Sequence, residues 1–204
     1  MLYGDLAAHG ADVYNLPFDV YARDIGARFT RVGDDFVIAI PGTRGFVNWL
    51  TDLNWLPDLF VPIGPYHSGF GADIVALAPL VRDAIPAGVR PVLVGHSLGG
   101  AVAQGVAACL ALWGYKPAVL TMGAPRGPVR GNIWFSHLIS KCSAAVAFER
   151  RGDVVPNTPG LILFKHPVAG IPLGEAIDTL DPSINHAVAR YVTDIRAAYP
   201  TSEI

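Results

Sequence analysis

Between residues 91 and 113 the chain runs from a short β-branched segment, Pro91-Val92-Leu93-Val94-Gly95, through His96-Ser97-Leu98-Gly99 into a stretch that is small or apolar almost throughout. No other stretch restricts the fold as tightly. The first part reads as a buried strand, and the second, Leu98 to Trp113 with Gly114 after it, as a buried helix. Between them stands G-x-S-x-G. Glycines two residues to either side of a serine let a strand reverse sharply into a helix and leave the hydroxyl exposed, where a base can activate it. In a chain with 22 glycines the pentapeptide alone says little, since a turn whose serine merely caps the next helix has the same letters. Its place between strand and helix gives it weight.

The remaining segments extend this pattern. Leu6 to Tyr14 can form an opening helix, and Ala27 to Ile40 reads as two strands about a Val32-Gly33-Asp34-Asp35 turn, with Phe36 to Ile40 the stronger. Gly69 to Ile85 is helical, with Pro79 expected to kink or end its first half. Ala118 to Met122 and Ala144 to Phe148 are further strands, Ile133 to Lys141 a helix, and Asn185 to Ala198 a last helix. Strands alternating with helices imply an α/β fold, a mostly parallel central sheet with helices on both faces. At 204 residues and 51% hydrophobic content, with no repeat or linker, residues 1–204 read as one compact domain.

A formal charge of −2, with both signs mixed along the chain, gives no field to suggest a nucleic-acid partner. The six histidines have no metal-ligand spacing, so no metal is expected, and Cys109 and Cys142 read as buried free thiols. The N-terminus lacks a basic segment followed by an apolar core. The expectation is a cytoplasmic protein, or a secreted one whose leader was removed. Leu98 to Trp113 is too short for a bilayer and contains Gln104, so it is expected to be the central buried helix.

A serine nucleophile on such a sheet needs an acid and then a histidine, each after a later strand. Asp153 follows the strand Ala144 to Phe148, where a loop carboxylate can reach the sheet edge, with Glu175, Asp178 and Asp181 as rivals. His186 lies at the start of the final helix, after every candidate acid. His137 precedes Asp153. His166, within Leu163-Phe164-Lys165-His166-Pro167, reads as an outward-facing histidine on a strand, and His67 and His96 as packing or hydrogen-bonding groups. Chain order favours His186.

Several segments from about residue 36 to 192 together resemble the fungal-type triacylglycerol lipases, the class 3 lipases of the α/β-hydrolase fold. Phe36-Val37-Ile38-Ala39-Ile40-Pro41-Gly42-Thr43, with Asn48-Trp49 and Asp52-Leu53, is similar to the family's strand, oxyanion loop and lid helix. Tyr66-His67-Ser68-Gly69-Phe70 is similar to its H-x-G-F segment, and Gly123-Ala124-Pro125-Arg126 with Gly131-Asn132 to its G-A-P-R-x-G-N. Asp153-Val154-Val155-Pro156 followed by Pro159 matches the stretch that bears the acid. Pro41, where the family usually has arginine, departs from the pattern. So does His186, which follows Asn185 and has Tyr191 five residues on rather than the D-H-x-x-Y setting. Two cysteines cannot reproduce the several disulfides of secreted fungal members.

The resemblance implies a lipase- or esterase-type carboxylic ester hydrolase with a Ser97, His186, Asp153 triad, an acyl-enzyme intermediate, and no cofactor. It implies oxyanion donors from the Leu98 N–H and from the backbone and hydroxyl of Thr43. Its partner would be an ester or lipid substrate. Phe46, Trp49, Leu50, Leu53 and Leu56 fall on one helical stripe, which makes residues 45–57 a candidate lid with transient contact to a lipid interface. Phospholipase A1, a small-ester or feruloyl-type esterase, an acyltransferase, and a catalytically silent lipase-like binding protein are the alternative readings.

Overall fold

In the computed structural model, residues 1–43, 56–59, 61–160, 162–174 and 182–204 are described. In chain order the strands are β1 (Val20–Ala22), β2 (Ile25–Val32), β3 (Asp35–Ile40), β4 (Pro57–Asp58), β5 (Tyr66–His67), β6 (Arg90–His96), β7 (Ala118–Met122), β8 (Ala144–Arg150) and β9 (Gly170–Leu173). The helices are α1 (Tyr3–Asp12), α2 (Ser68–Ala84), α3 (Leu98–Leu112), α4 (Ile133–Ser140), the single turn α5 (Pro182–Asn185) and α6 (Val188–Ala198). The main sheet has the order β1-β2-β3-β6-β7-β8-β9. Its first three strands are antiparallel, and from β3 onward every pair is parallel.

Alternation of side chains along each strand divides the core in two. Phe36, Ile38 and Ile40 of β3, with Leu93 and Val119, pack against α2, α3 and α4. Val37 and Ala39, with Val92, Val94, Leu120 and Met122, pack against Leu6 and Val13 near the N-terminus and Tyr191 and Ile195 of α6. Strands covered on both faces need apolar residues at every position, which is why β7 is buried throughout and reads as a continuous apolar run. Helix α3 is buried from Gly99 to Ala111. None of the helices among the described residues is long and apolar enough to cross a membrane.

Five expectations need correction. Helix α2 runs through Pro79 to Ala84, because Phe70, Ile74, Leu77, Ala78 and Val81 make a buried stripe that outweighs one missing N–H. The final helix is broken, with His186 between α5 and α6. Residues 163–167 form no strand; Phe164 makes only an isolated bridge to Val129. His166 is not outward-facing, since its ring bonds inward to the Pro156 carbonyl at 2.6 Å and is mostly buried. Cys109 is buried as a free thiol, but Cys142 is only half-buried. The short strands β1 and β9 had no expectation at all, being too brief for an alternation to register.

Candidate active site

Ser97 sits between the end of β6 and the start of α3 with φ +58° and ψ −134°. For a residue with a Cβ this region costs of order 1–3 kcal/mol, so surrounding contacts must hold it there. The Ser97 N–H donates to the Met122 carbonyl at 2.9 Å, and the Ser97 carbonyl accepts the Gly100 N–H at 2.8 Å. The flanking glycines have a steric cause. A Cβ on Gly99 would run into the carbonyl oxygens of Ile40 and Pro41, and one on Gly95 would run into the backbone of Gly99. The helix start is pressed against the end of β3, and only glycine permits it.

Asp153 follows β8 by three residues and its carboxylate is buried. Oδ1 accepts the Val155 N–H at 2.9 Å. Oδ2 accepts the Tyr191 hydroxyl and His186 Nδ1, both at 2.7 Å. A carboxylate oxygen here is an acceptor, so Nδ1 is the donor, and in the neutral ring Nε2 is the basic nitrogen. Burial and the neighbouring carboxylate push the Tyr191 phenol well above its ordinary value, so it stays protonated as a donor.

The chain on either side of these two residues is also tied down. The buried Arg150 guanidinium donates to the Asp194 carboxylate at 2.6 Å and to the Asn185 carbonyl at 3.2 Å. Asn185 Nδ2 donates to the Gly152 carbonyl at 3.0 Å. Thus the residues immediately before Asp153 and His186 are bonded to each other. Arg126 braces the next loop, donating to the carbonyls of Asn157 and Pro159.

Gly123 marks where the parts meet. It follows Met122, whose carbonyl holds Ser97, and a Cβ built on it would lie 2.9 Å from Asp153 Oδ2 and 3.1 Å from His186 Cε1. The imidazoles of His96 and His186 lie 4.5 Å apart between centroids. Residues 97, 153 and 186, distant in sequence, are therefore gathered beyond the C-terminal ends of β6, β7 and β8.

A second set of bonds crosses the same edge. His96 Nε2 is 2.8 Å from the His186 carbonyl, which can only accept, so Nε2 carries the hydrogen. Burial, together with the neighbouring His186, lowers the His96 pKa well below 6.5 and keeps the ring neutral. Nδ1 is then an acceptor, and the Tyr14 hydroxyl 2.9 Å away donates to it. Tyr14 in turn accepts the Gly42 N–H at 2.7 Å. Beside this, a Cβ on Gly42 would lie 2.7 Å from Ser97 Cβ.

A cleft of about 520 Å³ opens here, and Gly42, Thr43 and Leu98 line it together with Tyr14, Phe18 and Tyr21. Leu98 is the first residue of α3, where backbone N–H groups lack an i−4 acceptor and face outward. Arg23, Asp24 and Asp73 also line the cleft, with Arg23 Nε 3.3 Å from Asp73 Oδ1.

The other candidates separate clearly. His137 lies exposed on α4, stacked near Trp134, and His67 is buried against Phe70. Glu175, Asp178, Asp181 and the candidate lid residues Phe46, Trp49, Leu50 and Leu53 lie outside the described residues. Among the described residues no three His, Cys, Asp or Glu side chains are grouped to hold a metal ion. Tyr14 gave no signal in the sequence, and Arg126 and Arg150 are lone charges without a pattern. Tyr191 was visible as the tyrosine after the histidine.

The fold is that of the α/β-hydrolases. The family model described as Lipase (class 3) matches residues 37–162, and the chain belongs to that family. A secreted mono- and diacylglycerol lipase of Fusarium solani is 31% identical over 144 residues, which are 65% of this chain and 42% of the relative. The Rhizomucor miehei lipase propeptide complex superposes with a TM-score of 0.65 at 21% identity, covering 87% of this chain and 65% of that one. The mono- and diacylglycerol lipase of Aspergillus oryzae gives 0.64 at 23%, over 80% and 64%. The chain thus spans less than half the length of the Fusarium relative.

Proposed function

We propose that this protein hydrolyses carboxylic esters, with Ser97 as nucleophile, His186 as general base and acid, and Asp153 as the group that orients the imidazole. The observation that carries this reading is the 2.7 Å bond between His186 Nδ1 and an Asp153 carboxylate that also accepts from Tyr191 and Val155. It leaves Nε2 as the nitrogen that can take a proton, on the sheet edge that bears the strained Ser97. Ser97 Oγ attacks the ester carbonyl while His186 Nε2 accepts its proton, and the tetrahedral oxyanion forms at the Leu98 N–H and Thr43. Nε2 then protonates the departing alcohol, and water repeats the sequence on the acyl-enzyme.

Neutral acyl esters fit the cleft better than phosphodiester lipids, because among the described residues its charged lining is one cation, Arg23, against two acids, Asp24 and Asp73. Mono- and diacylglycerols, named for the Fusarium relative, are the first substrates to try. That relative is described as secreted, and export of this protein is a matter for fractionation of its source cells.

The test is release of p-nitrophenol from a short soluble ester. Wild type should turn over and react stoichiometrically with a fluorophosphonate, and Ser97→Ala should do neither. Equal rates in the two proteins would sink the assignment.

A further inference from the structure

Three segments at one corner of the molecule are knitted together and carry large apolar side chains outward. The Arg130 N–H donates to the Leu163 carbonyl at 2.7 Å, the Lys165 N–H to the Pro128 carbonyl at 3.0 Å, and Val129 bridges Phe164. Trp134 Nε1 donates to the Pro62 carbonyl at 3.3 Å, which adds residues 61–65 to the same corner. From this frame Ile162 is 89% exposed, Ile133 82%, Leu163 49% and Trp134 42%. The fold does not require these residues. Ile133 opens α4, whose cap is supplied by the Asn132 side chain accepting from the Phe135 N–H, and any residue would serve at its place.

The electrostatics of the corner differ from those of the whole. The chain carries a net charge of −2, yet segments 127–136 and 162–168 contain no acid, and they contribute Arg130 and Lys165. Lys165 Nζ lies 3.3 Å from Ser136 Oγ, which seats its charge against α4, one turn along from Ile133. Exposed aliphatic side chains, an indole with its N–H satisfied, and flanking cations are the composition that inserts shallowly into a lipid surface of negative charge. Position supports the same occupant. These loops leave the C-terminal ends of β7 and β8, the edge on which Ser97 and Asp153 sit, so a bilayer resting on them lies on the side of the cleft.

We infer that Ile133, Trp134, Ile162 and Leu163, with Arg130 and Lys165, form a docking surface for anionic lipid. A second copy of this chain is a poorer match, because two such faces would bring like charges together. The purpose of the surface rests on the ester-hydrolase reading; its binding to lipid does not.

Binding is measured by co-sedimentation of the Ser97→Ala protein with vesicles of phosphatidylcholine alone and with added phosphatidylglycerol. Partition to the anionic vesicles should be at least tenfold stronger, with a blue shift of tryptophan emission that Trp134→Phe removes. The double variant Ile133→Ser, Ile162→Ser should lose binding at least tenfold, and Arg130→Gln with Lys165→Gln should erase the preference for anionic vesicles. With Ser97 restored, the serine double variant should hydrolyse a dissolved ester within twofold of wild type. Absent or unchanged vesicle binding overturns the inference, as does a dimer in light scattering that the serine variants dissolve. If vesicles bind and no ester is cleaved, the hydrolase reading falls and the docking surface stands.

Discussion

Tyr191 and His186 share one acceptor: the tyrosine hydroxyl and the imidazole Nδ1 both reach Oδ2 of Asp153 at 2.7 Å. The tyrosine oxygen also accepts the Arg150 N–H at 3.0 Å, so one hydroxyl joins the acid to the strand beneath it. Tyr191→Phe leaves a buried N–H unsatisfied and removes one donor from the carboxylate. The expected cost is about 1–3 kcal/mol in stability, read from the urea midpoint, with ester turnover reduced several-fold. Unchanged stability would mean that water replaces the hydroxyl.

Tyr14 stands between the two halves of the site, accepting from Gly42 and donating to His96, whose Nε2–H holds the His186 carbonyl. Tyr14→Phe should lower kcat on a dissolved ester by about tenfold while KM stays within about twofold, because the loss falls on positioning rather than on substrate contact. His96→Gln, which keeps an N–H near the position of Nε2, should retain more activity than His96→Ala. Equal loss in the two variants would refute the role of that bond.

Thr43 lines the cleft beside Gly42 and Leu98. If its hydroxyl meets the oxyanion, Thr43→Val should reduce kcat by roughly ten- to a thousandfold with little change in melting temperature. A rate equal to that of wild type would leave the oxyanion to backbone donors alone.

His67 predicts an acid-labile fold. Its buried ring stacks on Phe70 with centroids 4.2 Å apart, and neither ring nitrogen meets a hydrogen-bond partner among the described residues. Burial lowers its pKa from 6.5 to about 4. Between these values the unfolded chain binds the proton and the folded one does not, so stability is full above about 6.5 and falls as pH drops toward 4. The linkage from this residue is about 2 kcal/mol between pH 7 and pH 5. His67→Phe should flatten the pH dependence of the urea midpoint over that window, and an unchanged slope would remove His67 as a cause.

The sequence exposed what rests on periodicity and local stereochemistry. The run Val92 to Val94 and the glycines around Ser97 announced strand, turn and helix because each letter answers to a nearby steric demand. Asp153 and His186 were legible as order along the chain and, for Asp153, as the family-like stretch around it. What brings them together is Arg150 reaching Asn185 and Asn185 reaching Gly152, which are long-range bonds with no local signature. The break at His186 escaped notice because the helical pattern of α6 runs back through it. Residues 163–167 read as a strand from their apolar content, but Leu163 faces outward and its carbonyl serves Arg130. Tyr14 was invisible for the same reason as Arg150: its partners are distant.

Neither cysteine is cross-linked, and burial drives the thiols up to about 12 for Cys109 and about 11 for Cys142. Thiols held so firmly in the protonated form are poor nucleophiles toward oxidants and disulfides. Residues 1–204 are therefore held together without a cross-link between Cys109 and Cys142, and dithiothreitol should leave the urea midpoint of this chain where it is.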